Sequence, residues 1–416
     1  MIRFPYFSPN ILEGDYGGEI KMKKIGLIPL RKGSKSIKGK NKRKLLGRPL
    51  FSWVLAEAIF SDLDEIYVYT DDEDIINFVN NEYKWTEKVK VMERSKESAT
   101  DTASTEFAMK EFVRRINDEY DILVLLQATS PLTRKEDINK ALELLRKGKY
   151  DSIISVVNTK RFFWNENGTP MNYDYNNRPR RQDFKGTLVE NGAIYVTTKE
   201  QFEKSGVRIG GKIGLLEMEE DTLYEIDEPN DWEIIEKLLK NRLINNKKNL
   251  SRIKAVVLDV DGIFTDAKVY YSENGEYLKK FSFRDGMGIS LLKENDIDII
   301  IISSEESKIV KKRMEKLGLK KVYLGVKDKY SRLEKILLDE KLKRYEIAYL
   351  GDDVNDISNI ASCGWGICPQ DAEDEIKEVA DVIINKNGGT HFVREAIKFV
   401  MKYNRRYGGV CKYVNF

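Results

Sequence analysis

The sequence predicts an α/β protein built as two doubly wound domains in series, and three observations predict it. At 416 residues the chain exceeds the roughly 100–200 residues that one core ordinarily serves. Short runs rich in β-branched residues alternate with helical stretches along most of its length, the rhythm of a parallel sheet covered by helices. Near residue 237 that rhythm breaks at KLLKNRLINNKKNLSR, rich in Lys and Asn, and restarts at KAVVLDV. The break places a linker at 240–252, between a first domain over 23–239 and a second over 253–402.

Residues 1–22 carry turn formers without a sustained period and read as an extension with no assigned role. In the first domain, IGLIPL is a buried strand, RPLFSWVLAEAIF a helix, EIYVYT a strand, TASTEFAMKEFVRRI a helix and DILVLLQ a strand. In the second, the strands are KAVVLDV, IDIIIISS, VYLG, IAYLGDD, WGICP and DVII, with SKIVKKRMEKLG and YSRLEKILLDEKL among the intervening helices. The segment VYYSENGEYLKKFSF reads as a hairpin turning at Glu273–Gly275, too short to be a further domain over the site it follows. Residues 403–416 are a tail, and no internal repeat is visible.

Composition removes several classes of function. The 71 Lys and Arg nearly balance the 68 Asp and Glu, which argues against a dedicated nucleic-acid surface. No stretch approaches the roughly 18–20 apolar residues of a membrane span, and no apolar signal-peptide core stands at the start, so a cytoplasmic protein is expected. Cys363, Cys368 and Cys411 match neither a disulfide framework nor a zinc site. His391 is the only histidine, which excludes a Ser-His-Asp triad and leaves acid–base work to carboxylates, lysines or water.

The second domain carries four ordered signals, each after a strand. DVDGIFTD places Asp259 and Asp261 at a strand's carboxyl end, where open α/β sheets build their sites. Asp259 can attack phosphorus, and Asp261 can protonate the leaving alcohol and later deprotonate water. Ser303 or Ser304 follows IDIIII, then Lys329 in GVKDK, then GDDVND from Gly351 to Asp356. A hydroxyl and an ammonium can hold phosphoryl oxygens, and Asp352 can complete a Mg²⁺ site with Asp259, with Asp261 as a further candidate ligand. Over 253–400 these residues resemble the haloacid dehalogenase phosphatases, which implies a Rossmann-like fold, here without a large cap. The short hairpin looks like the capless subgroup that contains the octulosonate 8-phosphate and nonulosonate 9-phosphate phosphatases. That subgroup's tetramers close each site with a neighbour, and GGTHFVREAI at Gly388–Ile397 resembles the glycine-rich tail that reaches across. Where octulosonate enzymes tend to carry Thr-Gly-Arg, this chain has Ser303, Ser304 and Glu305. Glu305 and Lys316 resemble the pair that nine-carbon-sugar enzymes use for specificity, or are solvated charges on a lysine-rich helix.

In the first domain, RKGSKSIKGKNKRKLLGRPLFSWVL is a glycine- and lysine-rich loop running into a helix, the donors and cations that a triphosphate requires. It is neither a Walker loop nor a dinucleotide fingerprint. Arg31, Gly33, Ser34, Lys35, Lys40 and Asn41 resemble the signature of the CMP-sialate and CMP-octulosonate synthetases. TDDEDI, LLQATSPLT, RRQD, ENGAIYV and YEIDEPNDW follow in family order over 23–237. The resemblance implies a Rossmann-like fold of GT-A type and CTP as substrate, with Arg31 and Lys40 on the β- and γ-phosphates and Asn41 orienting the α-phosphate. It further implies Gln127, Arg181, Gln182 and Asn191 on the sugar, and Mg²⁺ on Asp227 and Glu225, the latter where the family often has Asp. Phe162, Phe163 and Trp164 fall where the family builds its sugar site and dimer contacts, or serve as core.

Together the resemblances imply a bifunctional homo-oligomer, a tetramer, that frees a nine-carbon sugar acid such as KDN or N-acetylneuraminate from its 9-phosphate and activates it with CTP. One rival reading keeps the transferase and makes the second domain an assembly scaffold. Another changes the sugar to octulosonate or a legionaminate-type nonulosonate.

Overall fold

The computed structural model describes residues 22–117, 119–246 and 251–407. The strands of the first half are β1 (Lys24–Leu30), β2 (Lys44–Leu45), β3 (Arg48–Pro49), β4 (Glu65–Thr70), β5 (Val89–Glu93), β6 (Ile122–Leu126), β7 (Ser152–Thr159), β8 (Thr187–Thr198) and β9 (Ile213–Met218). Its helices are α1 (Leu50–Ile59), α2 (Glu73–Glu82), α3 (Thr105–Arg115), α4 (Lys135–Gly148), α5 (Lys199–Ser205) and α6 (Pro229–Asn246). In the second half lie β10 (Ala255–Leu258), β11 (Tyr270–Ser272), β12 (Gly275–Leu278), β13 (Asp298–Ile302), β14 (Lys321–Tyr323), β15 (Ile347–Leu350), β16 (Trp365–Pro369) and β17 (Val382–Ile384). They alternate with α7 (Phe283–Glu294), α8 (Lys308–Lys316), α9 (Lys329–Asp339), α10 (Ile357–Ser362), α11 (Asp374–Lys377) and α12 (Phe392–Asn404).

The protein is α/β, as the rhythm predicts, with one large sheet and one two-stranded ribbon in each half. The second sheet, ordered β14-β13-β10-β15-β16-β17, is parallel throughout. The first, ordered β5-β4-β1-β6-β8-β7-β9, departs from a purely parallel sheet because β8 runs antiparallel to both β6 and β7. Residues 160–186 return the chain beside β7 without a crossover helix, and only a crossover makes consecutive neighbours parallel. Since β8 is covered on both faces in its second half, its sequence reads as a buried run of either direction.

Helix starts follow local chemistry. Asp72 accepts from Asp74 N at 3.0 Å, Ser104 from Phe107 N at 3.1 Å and Ser307 from Val310 N at 3.2 Å, each satisfying an amide that a first turn leaves without a partner. α6 continues regular structure into the span expected as a linker, through residue 246, and 247–250 lie outside the described residues. The expected extension, apart from Met22, and residues 408–416 of the expected tail also lie outside them.

The halves share a core. One apolar cluster joins Leu45, Leu50, Trp53, Trp232 and Leu239 of the first half to Val257, Ile302, Leu337, Ile360 and Ile376 of the second, and α6 packs on α10. No helix among the described residues is long and apolar enough to cross a membrane.

Candidate functional site

Each half gathers polar residues at the carboxyl ends of its central strands. In the second half, Asp259 follows β10, Ser303 follows β13 and Asp352 follows β15, while Lys329 opens α9 after β14. The loop hairpin β11–β12 turns at Glu273 and Asn274, and among the described residues no cap stands between Asp261 and β13.

Buried Lys329 is the hub. Its Nζ lies 2.9 Å from Asp259 Oδ1 and 2.8 Å from Asp356 Oδ1, and Tyr349 Oη donates to the same Asp356 oxygen at 2.7 Å. Burial opposes the ammonium charge, but the two carboxylates outweigh it and hold the Lys329 pKa above its ordinary value. Burial raises the Asp259 pKa, with Asp356 adding to the effect and Lys329 opposing it. Burial, then Asp259 and Asp356, push Asp352 up to about 9. Oxygens of Asp259, Asp352 and Asp356 all lie within 4.8 Å of one another. Asp352 Oδ1 and Asp356 Oδ2 are buried with no hydrogen-bond partner, so this all-oxygen set fits a hard divalent cation.

One of the expected metal candidates in this half stands outside that group. The Asp261 carboxylate is not in that cluster: Lys279 Nζ, just past β12, holds both its oxygens at 2.7 and 2.8 Å. Asp356, which the sequence did not single out, is the third member of that group. Lys279 is buried and also pairs with Glu276 at 3.1 Å, a role the sequence hides because it lies 18 positions from Asp261. The only legible signal is a lysine at the foot of a hairpin placed against the first motif.

Ser303 is buried, with its Oγ accepting from Glu305 N at 3.3 Å, and Ser304 Oγ accepts from Asn355 Nδ2 at 2.9 Å. Exposed Glu305 pairs with Lys327 at 2.9 Å, whereas Lys316 is exposed at the last residue of α8. Glu305 precedes α8 and Lys316 closes it, so the two stand toward opposite ends of that helix. The Gly388–Gly389 segment packs on its own chain: Gly389 N donates to Ile263 O at 3.1 Å, and a Cβ at Gly388 would lie 1.9 Å from Gly262 O.

In the first half, the loop after β1 carries Arg31, Gly33, Ser34, Lys35, Lys40 and Asn41. Asp101, a residue without a sequence signal, receives Arg31 at 2.5 Å and Lys35 at 3.4 Å. Asn41 Nδ2 donates to Arg31 O at 3.1 Å, which fixes the loop's base, and Gly33 faces open space. Lys40 Nζ reaches Ile226 O at 2.9 Å and Asp227 Oδ1 at 3.1 Å, so the basic loop meets the acidic YEIDEP segment. Burial and then Asp227 raise the pKa of Glu225, with Lys40 opposing. Gly192, at φ 69°, lets Glu225 approach, since a Cβ there would stand 3.0 Å from Oε2.

The sugar candidates are less gathered. Gln127 is half-buried past β6, while Arg181 and Gln182 are exposed in the 160–186 excursion. Asn191 is buried, and its Nδ2 donates to Thr222 Oγ1 at 3.0 Å and Thr222 O at 3.2 Å, while its Oδ1 has no hydrogen-bond partner. Phe162 packs on Tyr173 and Phe184 at 4.3 and 5.0 Å between ring centroids, and Trp164 is exposed.

Known proteins share both halves. Residues 25–252 match the family described as Cytidylyltransferase, and residues 321–397 match the haloacid dehalogenase-like hydrolases. The N-acylneuraminate cytidylyltransferase A of Danio rerio is 32% identical over 91% of this chain and 89% of its own length. The N-acylneuraminate cytidylyltransferase of Oncorhynchus mykiss is 32% identical over 91% and 89%. The 3-deoxy-D-manno-octulosonate 8-phosphate phosphatase of Haemophilus influenzae is 33% identical over 38% of this chain and 87% of its own length. With the basic loop facing an acidic segment in one half and the Asp259–Lys329 centre in the other, this chain belongs to the cytidylyltransferase family and carries a haloacid dehalogenase-like domain as its second half.

Proposed function

We propose that the chain is a bifunctional enzyme that frees a nine-carbon 2-keto-3-deoxy sugar acid, KDN or N-acetylneuraminate, from its 9-phosphate and joins it to CMP. The observation that carries the hydrolase half is the intact Asp259, Lys329, Asp352 and Asp356 centre with Asp261 held separately. An assembly scaffold does not require four ionisable side chains to converge in a largely buried site.

In the hydrolase, Asp259 attacks phosphorus and the sugar oxygen leaves, protonated by Asp261; water, deprotonated by Asp261, then releases phosphate from the aspartyl-phosphate. Lys329 steadies the nucleophile and the transferring oxygens, and Ser303 or Ser304 donates to them. Asp259, Asp352 and Asp356 would hold Mg²⁺, which neutralises phosphoryl charge. In the transferase, the anomeric hydroxyl attacks the α-phosphate of CTP and pyrophosphate leaves. Arg31, Lys35 and Lys40 bind the leaving phosphates, Asn41, Gly33 and Ser34 shape the loop, and Glu225 and Asp227 would hold Mg²⁺. Gln127, Arg181 and Gln182 read the sugar, whose carboxylate suits an arginine fork.

A cytoplasmic setting accords with Cys363 and Cys368, buried and in no disulfide. A homotetramer accords with exposed Tyr270, Tyr271, Tyr277, Phe283 and Met287 on the β11–β12 hairpin and α7, an apolar patch that a neighbour would cover.

The test is phosphate release with Mg²⁺ from KDN 9-phosphate, N-acetylneuraminate 9-phosphate and octulosonate 8-phosphate. One nine-carbon ester should turn over fastest, and Asp259→Asn should lower its release by about a thousandfold or more while CTP transfer continues. Octulosonate 8-phosphate as the best substrate would change the sugar. No turnover beside intact CTP transfer would leave the domain as scaffold.

A further inference from the structure

Lys329, the hub of the hydrolase centre, is the first residue of α9, and the residue before it is gripped by the other half of the chain. The Asp328 carboxylate, buried, caps α9 through Ser331 N at 3.4 Å and Ser331 Oγ at 2.7 Å. Arg48 of the first half meets it in a fork, Nε to Oδ1 at 2.9 Å and Nη2 to Oδ2 at 3.0 Å. Tyr83 Oη donates to Oδ2 at 2.7 Å, and Glu82 Oε2 accepts from the amides of Lys327 and Asp328 at 2.7 and 3.0 Å. The Arg48 guanidinium packs against the adjoining rings of Trp53 and Tyr330, 4.3 and 4.5 Å from centroids that are themselves 5.4 Å apart. The fork to Asp328 and the two rings together hold its orientation.

The same short turn also holds the acidic loop. Gly47, at φ 80°, lies so close to the loop that a Cβ would stand 2.0 Å from Val354 O, and Leu46 O accepts from buried Ser358 Oγ at 2.6 Å. Val354 and Ser358 bracket Asp356 and follow Asp352. Residues 46–48 therefore touch both segments that supply the centre, while Arg48 itself meets none of Asp259, Lys329, Asp352 or Asp356 in a hydrogen bond or ion pair given by the described contacts.

We propose that the β2–β3 hairpin of the transferase half is a positioning element for the hydrolase centre, with Arg48 as the positioning residue that sets Lys329 between Asp259 and Asp356. This rests on the phosphatase reading above. The hairpin gives the fused chain a hydrolase whose geometry is completed by its transferase, since a lysine displaced by even about 1 Å can cost on the order of a hundredfold in rate.

The test uses the full chain with Arg48→Met, Asp328→Asn and both together. Removing Arg48 alone leaves a buried carboxylate unpaired, whereas the double variant removes both charges and keeps an Asn cap, so the pair separates mispositioning from misfolding. Three readouts are taken: kcat and KM for release from the nine-carbon 9-phosphate, CTP transfer, and acetic anhydride labelling of Lys329 relative to buried Lys279 by mass spectrometry. Arg48→Met is expected to lower the hydrolase kcat about tenfold or more with KM and CTP transfer within about twofold, and to raise Lys329 labelling but not that of Lys279. The double variant should recover part of the loss. Wild-type kcat with a protected Lys329 in folded Arg48→Met would overturn the proposal, as would equal unmasking of both lysines with parallel loss of both activities. A wild-type chain without turnover would defeat the phosphatase reading, and the labelling ratio would still decide the role of Arg48.

Discussion

Asp352 and Asp356 each keep one buried oxygen without a hydrogen-bond partner, while Asp261, two positions past the nucleophile, is neutralised by Lys279. Neighbouring carboxylates thus differ in the cation each meets: Asp259 and Asp356 pair with Lys329, and Asp261 pairs with Lys279. The division has a pH signature. Asp352 is held up to about 9, above the ordinary carboxylate range, so its contribution to metal-free stability is fully present below its unfolded pKa and is lost as pH rises through the folded value. Mg²⁺ held by these carboxylates would bind the ionised form and relieve that loss. Melting measured with Mg²⁺ against chelator should therefore show a larger Mg²⁺ stabilisation at about pH 8.5 than at about pH 6, and Asp352→Asn should flatten the difference. An equal or reversed shift would contradict the cation assignment.

At the scale of elements, a turn and a hairpin aim these side chains. Gly262, directly after Asp261, sits at φ 83°, and a Cβ there would lie 1.8 Å from Asp352 Oδ2. No other residue tolerates both the left-handed backbone and that approach. Gly262→Ala should cost about 1–3 kcal/mol of stability and displace Asp352, so that phosphate release falls sharply and the Mg²⁺ shift shrinks. Urea unfolding and the same melting series test this, and unchanged Mg²⁺ stabilisation in a folded variant would refute it. The β11–β12 hairpin does the corresponding work for Asp261 by bringing Lys279 beneath it, and its exposed tyrosines extend away from the sheet.

Across the whole molecule, the halves are bound by an apolar cluster and by buried ion pairing, not by a linker alone. Trp53, Trp232 and Leu239 share a core with Ile336, Ile360 and Ile376, and Arg48 with Asp328 is buried on both sides. Burial opposes ionisation of Asp328, yet Arg48, Ser331 and Tyr83 together lower its pKa, so the pair stays charged within the interface. Domains joined by so continuous a core lose it together. Calorimetry of the full chain should give one cooperative transition whose calorimetric and van't Hoff enthalpies agree, and two well-separated transitions would show independent domains.

The two α/β halves, the strand ends bearing Asp259, Ser303 and Asp352, and the basic loop from Arg31 to Asn41 were legible in the sequence, because strand runs and motif spacing are local. The direction of β8 was not, since a strand covered on both faces carries the same apolar run whichever way it points. Nor were the partners. Asp261 takes Lys279 from a hairpin, Arg31 takes Asp101 across a separation of 70, and Asp328 takes Arg48 across 280. Sequence by itself determined which residues could do the chemistry. Only the tertiary structure decided which of them meet, because pairing of charges depends on distances that close when distant elements pack, and no periodicity along the chain records them.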